Sequence, residues 1–144
     1  WRGILRGLQS FFRRSIVTGR QVRDYMSREA GLDLEPVFRQ YLQTTDIPVL
    51  EFERRGRLLR YRWTNVVPGF DMPVDVRLGP GACTRVYPTT EWNPARIDDG
   101  VAFDVDHDFY IQVRPRGGEA RTPAIDCDGR AARSPLPATG PGGR

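Results

Sequence analysis

Val37, Phe38, Tyr41 and Leu42 recur on the helical period of about 3.6 residues, and Thr44, Thr45 and Asp46 break the stripe before Pro48 forbids its continuation. From Leu50 onward apolar residues alternate with charged ones, the period of a half-buried strand. The stretch Gly31–Leu50 is therefore a joint. Helical spacing precedes it and strand spacing follows, until the last thirty or so residues.

Before the joint, Ile4, Leu5, Leu8, Phe11 and Phe12 form an amphipathic stripe, with Arg2, Arg6, Arg13 and Arg14 mostly off it. Gly3 and Gly7 weaken such a helix by up to about 1 kcal/mol each relative to Ala. Thr18 followed by Gln21 predicts a capping box, in which hydroxyl and amide satisfy each other's backbone, with Val17 and Val22 as a hydrophobic staple. The helix it opens is expected to bury Val22, Tyr25, Met26 and Ala30 and to end at Gly31 as a left-handed cap. Asp33 is placed to cap the next helix, and Pro36 is tolerable in its first turn, where amides have no intrahelical acceptor.

After the joint, Leu50 and Phe52 against Glu51 and Glu53, then Leu59, Tyr61 and Trp63 against Arg60 and Arg62, predict a hairpin turned at Arg55-Gly56. Further strands are expected over Met72–Leu78, near Thr84–Tyr87, over Val101–Val105 and over Phe109–Val113, with Pro88–Trp92 irregular. Asp98-Asp99-Gly100 is a hairpin signal. About six short strands at this spacing predict a small antiparallel β-sandwich, so the fold class is α+β. Residues 115–144 contain 5 Pro and 6 Gly and almost no large apolar side chain, which predicts a disordered tail.

At 144 residues the chain is one domain or a piece of something larger. It opens at Trp1 in the middle of a helical pattern, so a fragment or processed product is expected, and compartment stays open. No apolar run approaches the length of a membrane span, so no membrane segment is expected. All 22 basic residues are Arg. Residues 1–60 carry twelve arginines against seven acids, but Arg23, Asp24, Arg28 and Glu29 show the signs interleaved, as on an ordinary solvated face. Nucleic acid is accordingly not expected as a partner. Two cysteines, Cys83 and Cys127, are too few for a disulfide scaffold and lack metal-ligand spacing. Because Cys127 falls in the tail, no bridge between them is expected.

Catalytic motifs are missing: the chain has no H-E-x-x-H, no G-x-S-x-G, no P-loop and no G-x-G-x-x-G. His107 has no second His or Cys nearby and reads as a surface turn residue, since zinc takes three or four protein ligands. Asp104, Asp106 and Asp108 invite a calcium reading, but an EF-hand loop starting at Asp104 would place Phe109 and Pro115 where Gly and Glu are required. Two of those carboxylates fit the polar face of a strand instead. Tyr61, Trp63, Phe70, Trp92, Phe103, Phe109 and Tyr110 are expected mostly on inward faces, filling a core.

Taken in order, several segments resemble the C-terminal part of the aminopeptidase N-like (gluzincin) zinc metallopeptidases. They are the Val17-Thr18 helix start, Gly31-Leu32-Asp33-Leu34 with Phe38 and Gln40-Tyr41-Leu42, and Ile47-Pro48-Val49-Leu50. Tyr61-Arg62-Trp63, Gly69-Phe70-Asp71-Met72-Pro73-Val74, Pro88-Thr89-Thr90-Glu91-Trp92, and Val105-Asp106 leading to Phe109-Tyr110-Ile111 complete the series. Only their order and spacing are specific. The resemblance implies that residues 1–45 are the last helices of a thermolysin-like catalytic domain and residues 46–114 a β-sandwich behind it, followed by the tail 115–144. It implies zinc as cofactor of the full-length parent, a peptide substrate there, and the rest of the catalytic domain upstream as partner. The family's zinc ligands, general base and oxyanion-stabilising Tyr match nothing in this chain. No catalytic, cofactor-binding or metal residue is therefore expected in it, and the piece alone is expected to be structural and inactive. The alternatives are a non-enzymatic β-sandwich interaction module and, third, an Arg-rich nucleic-acid binder.

Overall fold

A computed structural model describes residues 2–117 together with Cys127. Helices α1 (Arg2–Phe11), α2 (Gly19–Ala30) and α3 (Glu35–Gln43) precede strands β1 (Val49–Arg55), β2 (Leu58–Thr64), β3 (Val74–Arg77), β4 (Thr84–Val86), β5 (Asn93–Arg96), β6 (Asp104–Val105) and β7 (Gln112–Pro115). The fold class is α+β, with helices and strands segregated along the chain.

The local signals act at the helix ends. The Thr18 hydroxyl accepts from the Gln21 amide at 3.3 Å and the Gln21 side chain accepts from the Thr18 amide at 2.8 Å, completing the capping box of α2. Gly31 closes α2 at φ 66°, a left-handed position that a residue without Cβ occupies at little cost. Tyr25 and Met26 are buried as expected, whereas Val22 and Ala30 are only half-buried. Asp33 stands one residue outside its expected role: Leu34 is the N-cap of α3, and Asp33 Oδ1 accepts instead from the Glu35 amide at 2.9 Å. On α3 itself the most buried residue is polar. Gln40 is 1% exposed, while Leu42, expected on the apolar stripe, is 74% exposed. Helix α1 has no buried residue.

One sheet has the order β5-β2-β1-β7 and the other β4-β3-β6. The β1–β2 hairpin has the expected register, from Val49 opposite Thr64 to Arg55 opposite Leu58, and turns at Gly56 with φ 59°. Leu50 and Phe52 on β1, with Leu59, Tyr61 and Trp63 on β2, face inward. They share one hydrophobic cluster with Val74, Val76, Val86 and Val105 of the other sheet and with Phe70 and Phe103.

The later strands depart from the alternation. Asn93–Arg96 is a strand that its sequence, with Pro94 and only Ala95 and Ile97 to turn inward, does not advertise. Asp98-Asp99-Gly100 turns the chain without making a hairpin, because β5 pairs with β2 in one sheet and β6 pairs with β3 in the other. The apolar run Val101–Val105 contributes only Asp104–Val105 to a strand, since the connection must cross between sheets. The final strand is Gln112–Pro115 and not Phe109–Val113, and it pairs with β1 in parallel, so the antiparallel expectation fails at that edge. Its chain arrives from β6 after passing the helix α3 side, which sets its direction. The disordered-tail reading of 115–144 lies outside the described residues except at Pro115–Gly117 and Cys127.

Cys127 corrects a further expectation. It is bonded to Cys83, with Cα atoms 5.4 Å apart across 44 residues of sequence. Composition made Cys127 look untethered, but besides the bond to Cys83 in the loop before β4 its amide donates to Asp106 Oδ2, just after β6.

Candidate functional site

Three places concentrate polar chemistry. The first is the seam between α3 and the sheets. The Gln40 side-chain amide donates to Asp46 O at 2.7 Å and accepts from the Val67 amide at 2.7 Å. Thr44 Oγ1 donates to Gln40 O at 2.6 Å, closing the helix end on itself. Asn65, at φ 57°, donates from Nδ2 to Ile47 O at 2.9 Å. Next to this clamp, Tyr41 donates its hydroxyl to Tyr110 O at 3.0 Å and sets its ring edge-on to Phe70, 6.4 Å away. Burial pushes the Tyr41 phenol up to about 12, with the Tyr110 side chain adding to the shift.

The second is the acidic stretch at and just after β6. Asp104 and Asp106 do not lie on a solvated strand face; both are buried. Asp104 Oδ1 accepts from the Val105 amide at 2.8 Å, while Oδ2 is buried without a hydrogen-bond partner among the described residues. Burial is the main cause that lifts this carboxyl to about 6, against the lowering effects of that amide and of Arg77. Asp106 Oδ1 accepts from the Asp108 amide and Oδ2 from the Cys127 amide, each at 2.9 Å. The carboxylate thus pins the loop and the disulfide-bonded segment. Asp106, His107 and Asp108 have one ligand-capable atom each within 4.8 Å of one another. His107 is exposed, as the sequence predicted, and so is Asp108. Both Asp106 oxygens already accept amide hydrogens, so the group is explained as a loop brace.

The third is the outward face of the four-stranded sheet. Trp92, expected in the core, is not there. It stands over this face, with the guanidinium of Arg62 at 4.5 Å from its ring centre, Arg60 at 5.3 Å and Arg116 at 5.6 Å. A built turn holds it. Asn93 Oδ1 accepts from the Thr89 amide at 2.8 Å and from the Thr89 hydroxyl at 3.1 Å, and the Glu91 amide donates to Thr89 Oγ1 at 3.2 Å. Arg62 bonds Glu51 at 2.7 Å and Arg60 bonds Glu53 at 3.3 Å. Tyr61, Trp63, Phe70 and Phe103 do fill the core, Phe109 is half-buried, and Tyr110 is 71% exposed.

Gln40 and Trp92 escaped the sequence reading for different reasons. A helical wheel puts Gln40 beside Val37 and Thr44, on the flank of the apolar stripe, yet nothing local says that two backbone groups await it. For Trp92, the stretch Pro88–Trp92 read only as irregular, and which face it served depended on β5. No protein-family model matches the chain, and no curated protein matches it. No helix among the described residues is long and apolar enough to cross a membrane.

Proposed function

We propose that the chain is the C-terminal, structural part of a zinc-dependent aminopeptidase-like metallopeptidase. In this reading α1–α3 close a thermolysin-like catalytic domain and the two sheets form a small β-sandwich behind it. The observation that carries the reading is the convergence of the resembling segments at one seam. Gln40-Tyr41-Leu42, Phe70 with Met72, and Tyr110 are far apart in sequence, yet the Tyr41 hydroxyl and ring touch Met72, Phe70 and Tyr110. The shared core of the two sheets supports the sandwich. Leu5, Phe11, Ile16, Leu32 and Leu42 are exposed apolar side chains of the helical half, where a preceding domain would cover them; Leu58, Tyr87 and Tyr110 are exposed in the strand half.

On this reading the zinc, the general base and the oxyanion donor belong to the upstream part, and this chain supplies rigidity behind them. Sequencing the transcript upstream of the Trp1 codon tests it. An in-frame H-E-x-x-H followed by a downstream Glu is expected; an initiator Met close to Trp1 with no such motif refutes the reading. The purified chain is also expected to leave aminoacyl-coumarin substrates intact, and chelator-sensitive turnover by the chain alone would contradict the assignment of its role. A second reading, a free-standing β-sandwich interaction module, is favoured by the outward arginine face.

A further inference from the structure

The outward face of the four-stranded sheet carries its charges in rows. Arg62, Glu51 and Arg114 stand opposite one another across β2, β1 and β7. In the next row Arg60 stands opposite Glu53, and Arg116 follows Pro115 on the far side, its amide donating to Phe52 O at 2.7 Å. In the third row Arg96 and Arg55 flank Leu58. Six arginines thus share a face with two glutamates.

The glutamates are recessed, with side chains only 18% and 17% exposed, and each is engaged by an arginine of β2. Arg55, Arg96, Arg114 and Arg116 are exposed, and among the described residues no carboxylate pairs with any of them. Arg96 on β5 and Arg114 and Arg116 at β7 lie on the two margins of the sheet with the Glu–Arg pairs between them, and Arg55 ends the inner strand β1. Because strands are spaced about 4.8 Å apart, the β5 and β7 margins are roughly 14 Å apart, the reach of about four residues of extended peptide.

We infer that this face docks an acidic segment of a partner protein, an extended run of Asp and Glu carboxylates laid across the strands. Guanidinium forks match carboxylates bidentately, and the unneutralised ones sit where such a segment would enter and leave. The observations favour a peptide over a single-stranded nucleic acid. Three guanidiniums occupy the surroundings of the Trp92 ring, so it is no open platform for stacking bases, and the two glutamates interrupt any continuous track for phosphates. Trp92 instead splays Arg60, Arg62 and Arg116 and holds their spacing. The inference rests on this face alone and is independent of the metallopeptidase reading.

Fluorescence anisotropy of a labelled Asp/Glu-Gly peptide titrated with the full chain tests it. Saturable binding is expected, weakening as salt screens the exposed charges. The triple variant R96Q/R114Q/R116Q is expected to lose about tenfold or more in affinity, for three exposed pairs removed. The variant R6Q/R13Q/R20Q, which removes the same charge from exposed positions on and beside the helices, is expected to bind within about twofold of the parent. Because the substituted side chains are exposed, both variants should keep the parent circular dichroism. Absence of saturable binding, equal losses in the two variants, or tighter binding of an oligothymidylate of equal charge would each overturn the inference.

Discussion

Gln40 shows how one amide can decide a joint. Its two short bonds, to Asp46 O and from the Val67 amide, link the helix, the segment leaving it and the loop beyond β2. Substituting Ala leaves both backbone groups unmet in a buried place, at a cost of about 2–4 kcal/mol. Gln40→Glu keeps the shape but turns an oxygen toward Asp46 O, so it should fall comparably far. A urea midpoint unchanged in either variant would show that the clamp does not hold the joint. Asp104 makes the opposite kind of prediction. Its folded-state value of about 6 exceeds the ordinary 3.8, so between these pH values the unfolded chain has released a proton that the folded chain keeps. The contribution is fully present below about 3.8 and is lost as pH rises to about 6, on the order of 3 kcal/mol in all. Asp104→Asn cannot titrate, and its stability between pH 4 and 6 should lack this downward slope; denaturation at a few pH values in that window measures it.

At the scale of elements, α1 is held by contact and not by its own composition. A Cβ at Gly7 would run into the Tyr25 hydroxyl, whereas one at Gly3 would meet nothing within 4 Å. Helix propensity alone predicts that either Gly→Ala change stabilises α1 by up to about 1 kcal/mol. The packing predicts that they diverge: Gly3→Ala should raise the melting temperature slightly, and Gly7→Ala should lower it by displacing Tyr25 from Phe11 and Phe12, whose rings lie 5.3 and 5.9 Å away. Equal rises in both would mean that α1 and α2 do not pack as described. The contrast also marks what alternation can and cannot tell. The hairpin was legible residue by residue because Glu51, Glu53, Arg60 and Arg62 punctuate the apolar positions, but β5 was not, since a strand with one neighbour and one small inward residue needs little hydrophobicity.

At the scale of the molecule, the Cys83–Cys127 bond closes a loop of 44 residues. Cross-linking a loop of that length removes unfolded-state entropy equivalent to about 4 kcal/mol in the chain-entropy description, with about 2–4 kcal/mol typical in practice. Cys83→Ser/Cys127→Ser should therefore lower the urea midpoint of the sheets, and a reductant should match it in the parent chain and do nothing more in the variant. An unchanged midpoint would separate the bond from the fold.

The sequence alone determined the helix stops, the capping box, the first hairpin and its inward aromatics, because each follows from contacts within a few residues or from the alternation of one strand. It also shows that H-E-x-x-H, G-x-S-x-G, the P-loop and G-x-G-x-x-G do not occur in these 144 residues. Tertiary structure decided the rest: that Gln40 is the buried clamp, that β7 runs parallel to β1, that Asp104 and Asp106 are inside, that Cys83 meets Cys127, and that Trp92 stands among arginines on the outer face. Each of these depends on partners dozens of residues away, and no local pattern of apolar and polar positions encodes which distant backbone or side chain will be the neighbour.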